Sequence, residues 1–60
     1  MEYILNDKVK VTYLDNNSEV RTEKAEVIGK TFEANAHYDV KLIHNNYVIK
    51  NIKEKFLELD

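Results

Sequence analysis

The sequence contains no cysteine and no proline, and it has a single glycine. Without cysteine, the chain forms neither a disulfide nor a cysteine-based zinc site. Because proline is absent and there is one glycine, the turns must rely on asparagine, aspartate and serine, which hydrogen-bond their own backbone and tolerate turn conformations. No apolar run has membrane-spanning length, and the first residues lack a basic segment followed by an apolar signal core. We expect a cytoplasmic protein with no membrane contact.

Neither sign of charge predominates in the chain. The net charge is −2, both signs are interspersed along the chain, and Arg21 is the one arginine. This balance argues against a strongly cationic nucleic-acid clamp and equally against an acidic mimic of DNA.

The apolar content, by contrast, is sufficient for a folded domain. Sixty residues with 43% hydrophobic side chains predict one domain over residues 1–60. A chain of this length buries only about 60% of the surface that its unfolded form exposes. We therefore expect it to fold on apolar packing alone or with help from a partner subunit.

The first half of the chain shows the two-residue period of strands. Residues 8–13 alternate between apolar and polar side chains, and residues 15–18 (Asp-Asn-Asn-Ser) predict a turn. A long strand is expected over 20–32, with a bulge or bend at Gly29, followed by a loop over 33–36.

The second half predicts a hairpin, a short turn and a last strand. Residues 38–43 and 47–50 form the hairpin, with Asn45 and Asn46 in the left-handed positions of a tight turn. A polar turn over 51–55 leads to a strand over 56–59. The spacing of apolar residues over 50–59 also fits a helix, but the alternation around Glu58 favours the turn and strand. The predicted inward-facing side chains are Val9, Val11, Tyr13, Ala25, Val27, Tyr38, Val40, Leu42, Tyr47, Ile49, Ile52, Leu57 and Leu59.

This succession of elements resembles the SH3-like small β-barrel superfamily, in the broad sense that includes Tudor and KOW modules. The stretches that carry the resemblance are residues 25–30, 38–42, 45–49 and 52–59. The resemblance implies an all-β fold: a five-stranded barrel with one short 3-10 turn before the last strand. It is a likeness of architecture and implies no particular ligand.

Residues suited to catalysis or metal binding are few. His37 and Asp39 share one face of a predicted strand, but the only serine, Ser18, lies in a distant turn. His37 and His44 lie at opposite ends of a strand, about 20 Å apart, which is too far to share an ion. A domain of this size is also expected to lack a pocket of about 300 Å³. We therefore predict no enzymatic activity, no metal site and no cofactor.

A protein-binding surface is the leading functional prediction. The alternation leaves several apolar side chains without a settled place inside: Tyr3, Ile28, Phe32, Ile43, Val48 and Phe56. We expect some of them to cap the ends of the barrel and the remainder to form an exposed apolar patch. Exposed apolar patches and aromatic side chains are typical of contact sites. We predict a stand-alone protein-interaction module of the kind that phages and mobile elements encode to modulate a larger host protein. Its expected contact residues are Phe32, Tyr47 and Phe56.

Two alternatives stay open at this point. The first is a nucleic-acid-associated module that uses the lysines near the end of the chain, Lys50, Lys53 and Lys55. The second is a self-associating structural protein, a homodimer in which open edge strands pair.

Overall fold

The protein is an all-β chain, as predicted. The computed structural model describes residues 2–31 and 36–60. Within them lie β1 (Lys8–Leu14), β2 (Val20–Thr31), β3 (His37–Leu42), β4 (Val48–Lys53), a 3-10 turn (Glu54–Phe56) and β5 (Leu57–Leu59). The 3-10 turn before the last strand confirms the turn-and-strand interpretation of the end of the chain over the helical one. The predicted bounds are wrong, because β4 continues to Lys53 through most of the predicted turn over 51–55, and the turn extends to Phe56. No helix in these ranges is long and apolar enough to span a membrane.

The five strands form one antiparallel sheet in the order β4-β3-β2-β1-β5. The long β2 pairs with β1 through its first part and with β3 through its second part. Strands β4 and β5 are the two edge strands of this sheet. Closure of the sheet into a barrel would bring these two strands side by side, and it stays a prediction.

The turn between β1 and β2 falls where the sequence predicts it. The carboxylate of Asp15 accepts hydrogen bonds from the backbone N–H groups of Asn17 (2.8 Å) and Glu19 (3.0 Å). Ser18 adopts a left-handed φ of 61°. Ser18 thus occupies the left-handed position at which a turn favours glycine, and the side chain of Asp15 fixes the turn through its hydrogen bonds.

The turn between β3 and β4 differs from the prediction. The N–H of Leu42 donates to the carbonyl of Tyr47 at 2.8 Å, so residues 43–46 form a four-residue loop. Asn46 has a φ of 61°, whereas Asn45 is not left-handed. The predicted two-residue turn with both asparagines left-handed is therefore wrong.

Two bulges flank β3. The register between β2 and β3 shifts between Val27 and Gly29, which confirms the bulge predicted at this glycine and leaves Ile28 as the extra residue. On the other side, the register between β3 and β4 shifts between Tyr38 and Val40, beside the left-handed Asn51. Bulges increase the local twist of a sheet and turn individual side chains outward.

The core lies on one face of the sheet and matches the predicted alternation closely. The buried side chains of the described residues are Tyr3, Val9, Val11, Ala25, Val27, Tyr38, Val40, Leu42 and Leu57, with Tyr13, Ile49 and Ile52 packed against them. Two predictions fail: Leu59 is 52% exposed and Tyr47 is 59% exposed. Leu59 ends the three-residue β5 at one end of the sheet order, where a side chain has few neighbours.

Tyr3 joins the core from outside the regular strands. Its ring meets that of Tyr38 edge to face, with centroids 5.5 Å apart. Its hydroxyl donates to the carbonyl of Leu57 at 2.9 Å, and its backbone N–H donates to the Tyr38 hydroxyl at 3.1 Å. The segment before β1 is thereby fixed onto the sheet.

Candidate protein-binding surface

An open cleft of about 370 Å³ lies between the end of β1 and the start of β4. Its rim carries the apolar side chains of Leu14 (65% exposed), Tyr47 and Val48, and the half-buried Tyr13 and Ile49 also line it. We name these five residues the Tyr47 cleft. Leu14 is the last residue of β1, and Tyr47 closes the four-residue loop, so the ends of two strands build the cleft.

A hydrogen-bonded network holds one wall of the Tyr47 cleft in place. The hydroxyl of Tyr13 on β1 donates to the carboxylate of Glu23 on β2. The other carboxylate oxygen of Glu23 lies 2.7 Å from Nε2 of His44, in the loop that leads to Tyr47. The hydrogen bond to Glu23, reinforced by burial, raises the pKa of Tyr13 to about 12. Two strands and one loop are thus joined through a single carboxylate.

Two charged side chains also line the same cleft. Asp15, which lines it, receives the guanidinium Nε–H of Arg21 at 2.9 Å. That hydrogen bond, together with those from the backbone of Glu19 and Asn17, holds the pKa of Asp15 below its ordinary value. Lys50 on β4 also lines the cleft and is exposed. The cleft therefore combines exposed apolar side chains with one carboxylate, one ammonium and two asparagines, Asn16 and Asn45.

A second apolar surface lies beside the β2 bulge. Ile4, Leu5 and Ile28 are exposed and line an open groove of about 590 Å³ together with Gly29 and Lys30. The bulge turns Ile28 outward, and the backbone of Asn6 donates to Val27 at 2.8 Å, which places the preceding residues beside it. We name Ile4, Leu5 and Ile28 the Ile4 groove.

The predicted contact residues are not gathered in one place. Tyr47 lies in the Tyr47 cleft, whereas Phe56, 42% exposed, lines a separate hollow with Lys10 and Lys55. Phe32 lies outside the described residues, as do residues 33–35 of the predicted loop. Of the two predicted aromatic contact residues that the structure describes, Tyr47 is the one placed in the cleft with other exposed apolar side chains.

The three lysines of the nucleic-acid alternative are likewise distributed over different parts of the surface. Lys50 lines the Tyr47 cleft, and Lys53 pairs with His37 at the end of β4. The ammonium of Lys55 lies 5.2 Å from the centroid of the Phe56 ring. All three are exposed, but Lys50 and Lys55 belong to different hollows.

The two residues considered for catalysis are part of the sheet's structure. The carboxylate of Asp39 accepts the backbone N–H of Asn51 at 3.0 Å. His37 pairs with Thr31 on one side and Lys53 on the other. Among residues 2–31 and 36–60, no group of three histidine or acidic side chains could hold a metal ion.

The expectation about pockets is wrong, because both the Tyr47 cleft and the Ile4 groove exceed 300 Å³. They are open surface hollows built from strand ends, which a small sheet produces without enclosing any volume.

Several residues of these surfaces were missed from the sequence. Leu14, Ile4 and Leu5 had no assigned place, although each is a large apolar side chain outside the inward alternation. Leu14 follows Tyr13 directly, so its side chain belongs to the opposite, outward face of the strand. This position could have identified Leu14 as an exposed apolar residue.

Comparison with known proteins finds no family model that matches this chain, and no curated protein or solved structure that matches it.

Proposed function

We propose that this chain is a cytoplasmic, non-enzymatic protein-interaction module of the SH3-like barrel type, and that it docks onto a larger protein through the Tyr47 cleft. One observation carries the proposal. Leu14, Tyr47 and Val48 are exposed apolar side chains that line one cleft, and this cluster contains an aromatic ring, which the Ile4 groove lacks. Clustered apolar exposure of this kind is typical of contact sites, whereas single exposed apolar residues are ordinary.

The construction of the cleft supports the proposal. Tyr47 offers a large apolar ring with a polar tip, the type of side chain that dominates binding energy at interfaces. The Tyr13–Glu23–His44 network fixes the wall beside it before any partner arrives. A preformed wall reduces the entropy that binding would otherwise lose. The expected partner segment presents an apolar side chain to the rim.

Self-association through edge strands receives less support. The edge strand β4 carries the exposed Lys50 and Lys53 and a register shift beside Asn51, and β5 is only three residues long. Short strands, lysines and bulges are the features by which natural sheets discourage pairing at their edges. We therefore favour a different protein as partner, and we retain as a proposal the phage-type modulator of a host protein.

The proposal is tested by affinity capture with matched variants. The tagged chain, a Leu14→Ser/Tyr47→Ala variant and a Leu5→Ser control are each used to recover partners from the native cell. We expect one protein to be recovered in comparable amounts by the wild type and the control, and to be lost with the double variant. Circular dichroism confirms that each variant is folded. Loss with Leu5→Ser alone would move the contact to the Ile4 groove, and retention by the double variant would overturn the assignment.

A further inference from the structure

Two lysines directly oppose each other on the outer face of the sheet. Lys10 on β1 pairs with Lys24 on β2, in a register that continues to Glu58 on β5. Like charges directly opposite in adjacent strands destabilise a sheet. By contrast, the neighbouring Lys8 pairs with Glu26 at 3.0 Å. Within residues 2–31 and 36–60, Lys10 and Lys24 have no ion-pair partner within 4.0 Å.

Lys10 also lines a hollow of about 210 Å³ beside the 3-10 turn, which we name the basic hollow. Its other lining side chains include Thr12, Lys55, Phe56 and Glu58. The ammonium of Lys55 lies 5.2 Å from the centre of the partly exposed Phe56 ring. Two lysines, a threonine and one aromatic ring thus line the same hollow, and Lys24 lies next to it on β2 through its pairing with Lys10.

We infer that the basic hollow and Lys24 form a binding site for single-stranded nucleic acid. Lysine ammonium groups bind backbone phosphates as point charges, and an exposed aromatic ring stacks on a base whatever its identity. No arginine contributes to the site, so bidentate recognition of guanine is absent and binding is independent of base sequence. This inference does not depend on the proposed protein contact, because none of its residues belongs to the Tyr47 cleft.

The carboxylate of Glu58 weakens the binding of nucleic acid to this site. This carboxylate lies in the hollow, opposite Lys10, where it repels phosphate and reduces the net charge of the site to about two. Replacing Glu58 by glutamine removes the repulsion while keeping the size of the side chain. The site therefore binds weakly, and Glu58→Gln strengthens it.

The test measures binding of a fluorescently labelled oligothymidylate to the full chain by anisotropy at increasing salt. Single strands lose affinity with a slope of roughly −0.7 per phosphate contact, so three lysines predict about a twentyfold loss between 50 and 200 mM salt. In Lys10→Gln/Lys24→Gln the remaining lysine predicts only about a threefold loss over the same range, from a weaker starting affinity. The matched control is Lys50→Gln/Lys53→Gln, which changes the net charge equally and should retain the wild-type salt dependence.

Stacking is tested separately from charge. Phe56→Leu keeps apolar volume but removes the ring, and it should weaken oligothymidylate binding about tenfold while leaving binding of inorganic polyphosphate unchanged. Equal effects of Phe56→Leu on both ligands would overturn the role of the ring. Absence of oligothymidylate binding at 50 mM salt, or a larger effect of the Lys50/Lys53 control than of Lys10/Lys24, would overturn the site.

Discussion

The carboxylate of Asp39 accepts the backbone N–H of Asn51 at 3.0 Å, at the point where the register between β3 and β4 shifts. Asn51 has a φ of 60°, a left-handed conformation that side chains other than glycine, asparagine and aspartate rarely adopt. On its other side, the same carboxylate lies against Gly29, where an added Cβ would come within 2.9 Å of Oδ2. A single aspartate in β3 therefore contacts the bulged parts of both neighbouring strands, β2 and β4.

Removing this carboxylate should destabilise the fold. Asp39→Ala leaves the Asn51 N–H without its acceptor, at a cost of about 1 kcal/mol in the free energy of unfolding. Asp39→Asn keeps an oxygen at the accepting position and should cost less. Urea unfolding followed by circular dichroism measures both variants, and equal losses in the two would contradict the role of the hydrogen bond.

Gly29→Ala should be destabilising because of the same side chain. The new methyl group would contact Oδ2 at 2.9 Å and Cβ of Asp39 at 3.3 Å, so the aspartate side chain would have to shift while it holds the Asn51 N–H. A double variant with Asp39→Ala should therefore cost less than the sum of the single changes, by about 1 kcal/mol. Additive losses in a double-mutant cycle would show that the two positions are independent.

The hydroxyl of Tyr3 should contribute measurably to stability. Tyr3→Phe keeps the edge-to-face contact with Tyr38 but removes the donor to the Leu57 carbonyl, for an expected loss of about 1–2 kcal/mol. In a domain of this size, each 1 kcal/mol lowers the melting temperature by roughly 4–8 °C. Tyr47→Phe is the matched control, and its exposed hydroxyl should leave the melting temperature unchanged.

Alkaline pH should weaken the wall of the Tyr47 cleft through Tyr13. Its pKa is raised to about 12 in the folded state, above the ordinary value of 10, because its hydroxyl donates to Glu23. The folded state therefore holds this proton more tightly, and its contribution to stability is present below pH 10 and lost as the pH rises through 12.

In Glu23→Gln, the pKa of Tyr13 should return towards 10, and the loss of stability between pH 10 and 12 should become smaller, because the folded and unfolded states then hold the proton about equally. Carbon-13 NMR of labelled tyrosine rings follows Tyr13 individually. An unchanged Tyr13 titration in this variant would contradict the assigned cause.

The sequence predicts the strands well because most of the information lies in alternation. Val9, Val11, Val27 and Val40 are fully buried where the two-residue period places them. Gly29 marks its bulge because a glycine inside a strand has no side chain to pack and is typical of bulges and tight bends. The turn after β1 is visible from composition alone, since the side chain of an aspartate supplies the local hydrogen bonds.

The candidate site is harder to predict because it depends on strand ends and loop length. A four-residue loop in place of a two-residue turn leaves Tyr47 outside the core, although the alternation of the sequence predicts that its side chain points inward. Tyr3 is buried through hydrogen bonds to residues 35 and 54 positions away, which no local pattern encodes. Alternation indicates the side of the sheet to which a side chain belongs, but it does not indicate whether other atoms cover that side chain.

The most direct measurement of the proposed function is amide chemical-shift mapping of the isotopically labelled chain on addition of its captured partner. We predict that the largest changes occur at Leu14, Tyr47 and Val48, with little change at Ile4, Leu5 and Ile28. Changes confined to the Ile4 groove, with the amides of the Tyr47 cleft unaffected, would contradict the proposed contact.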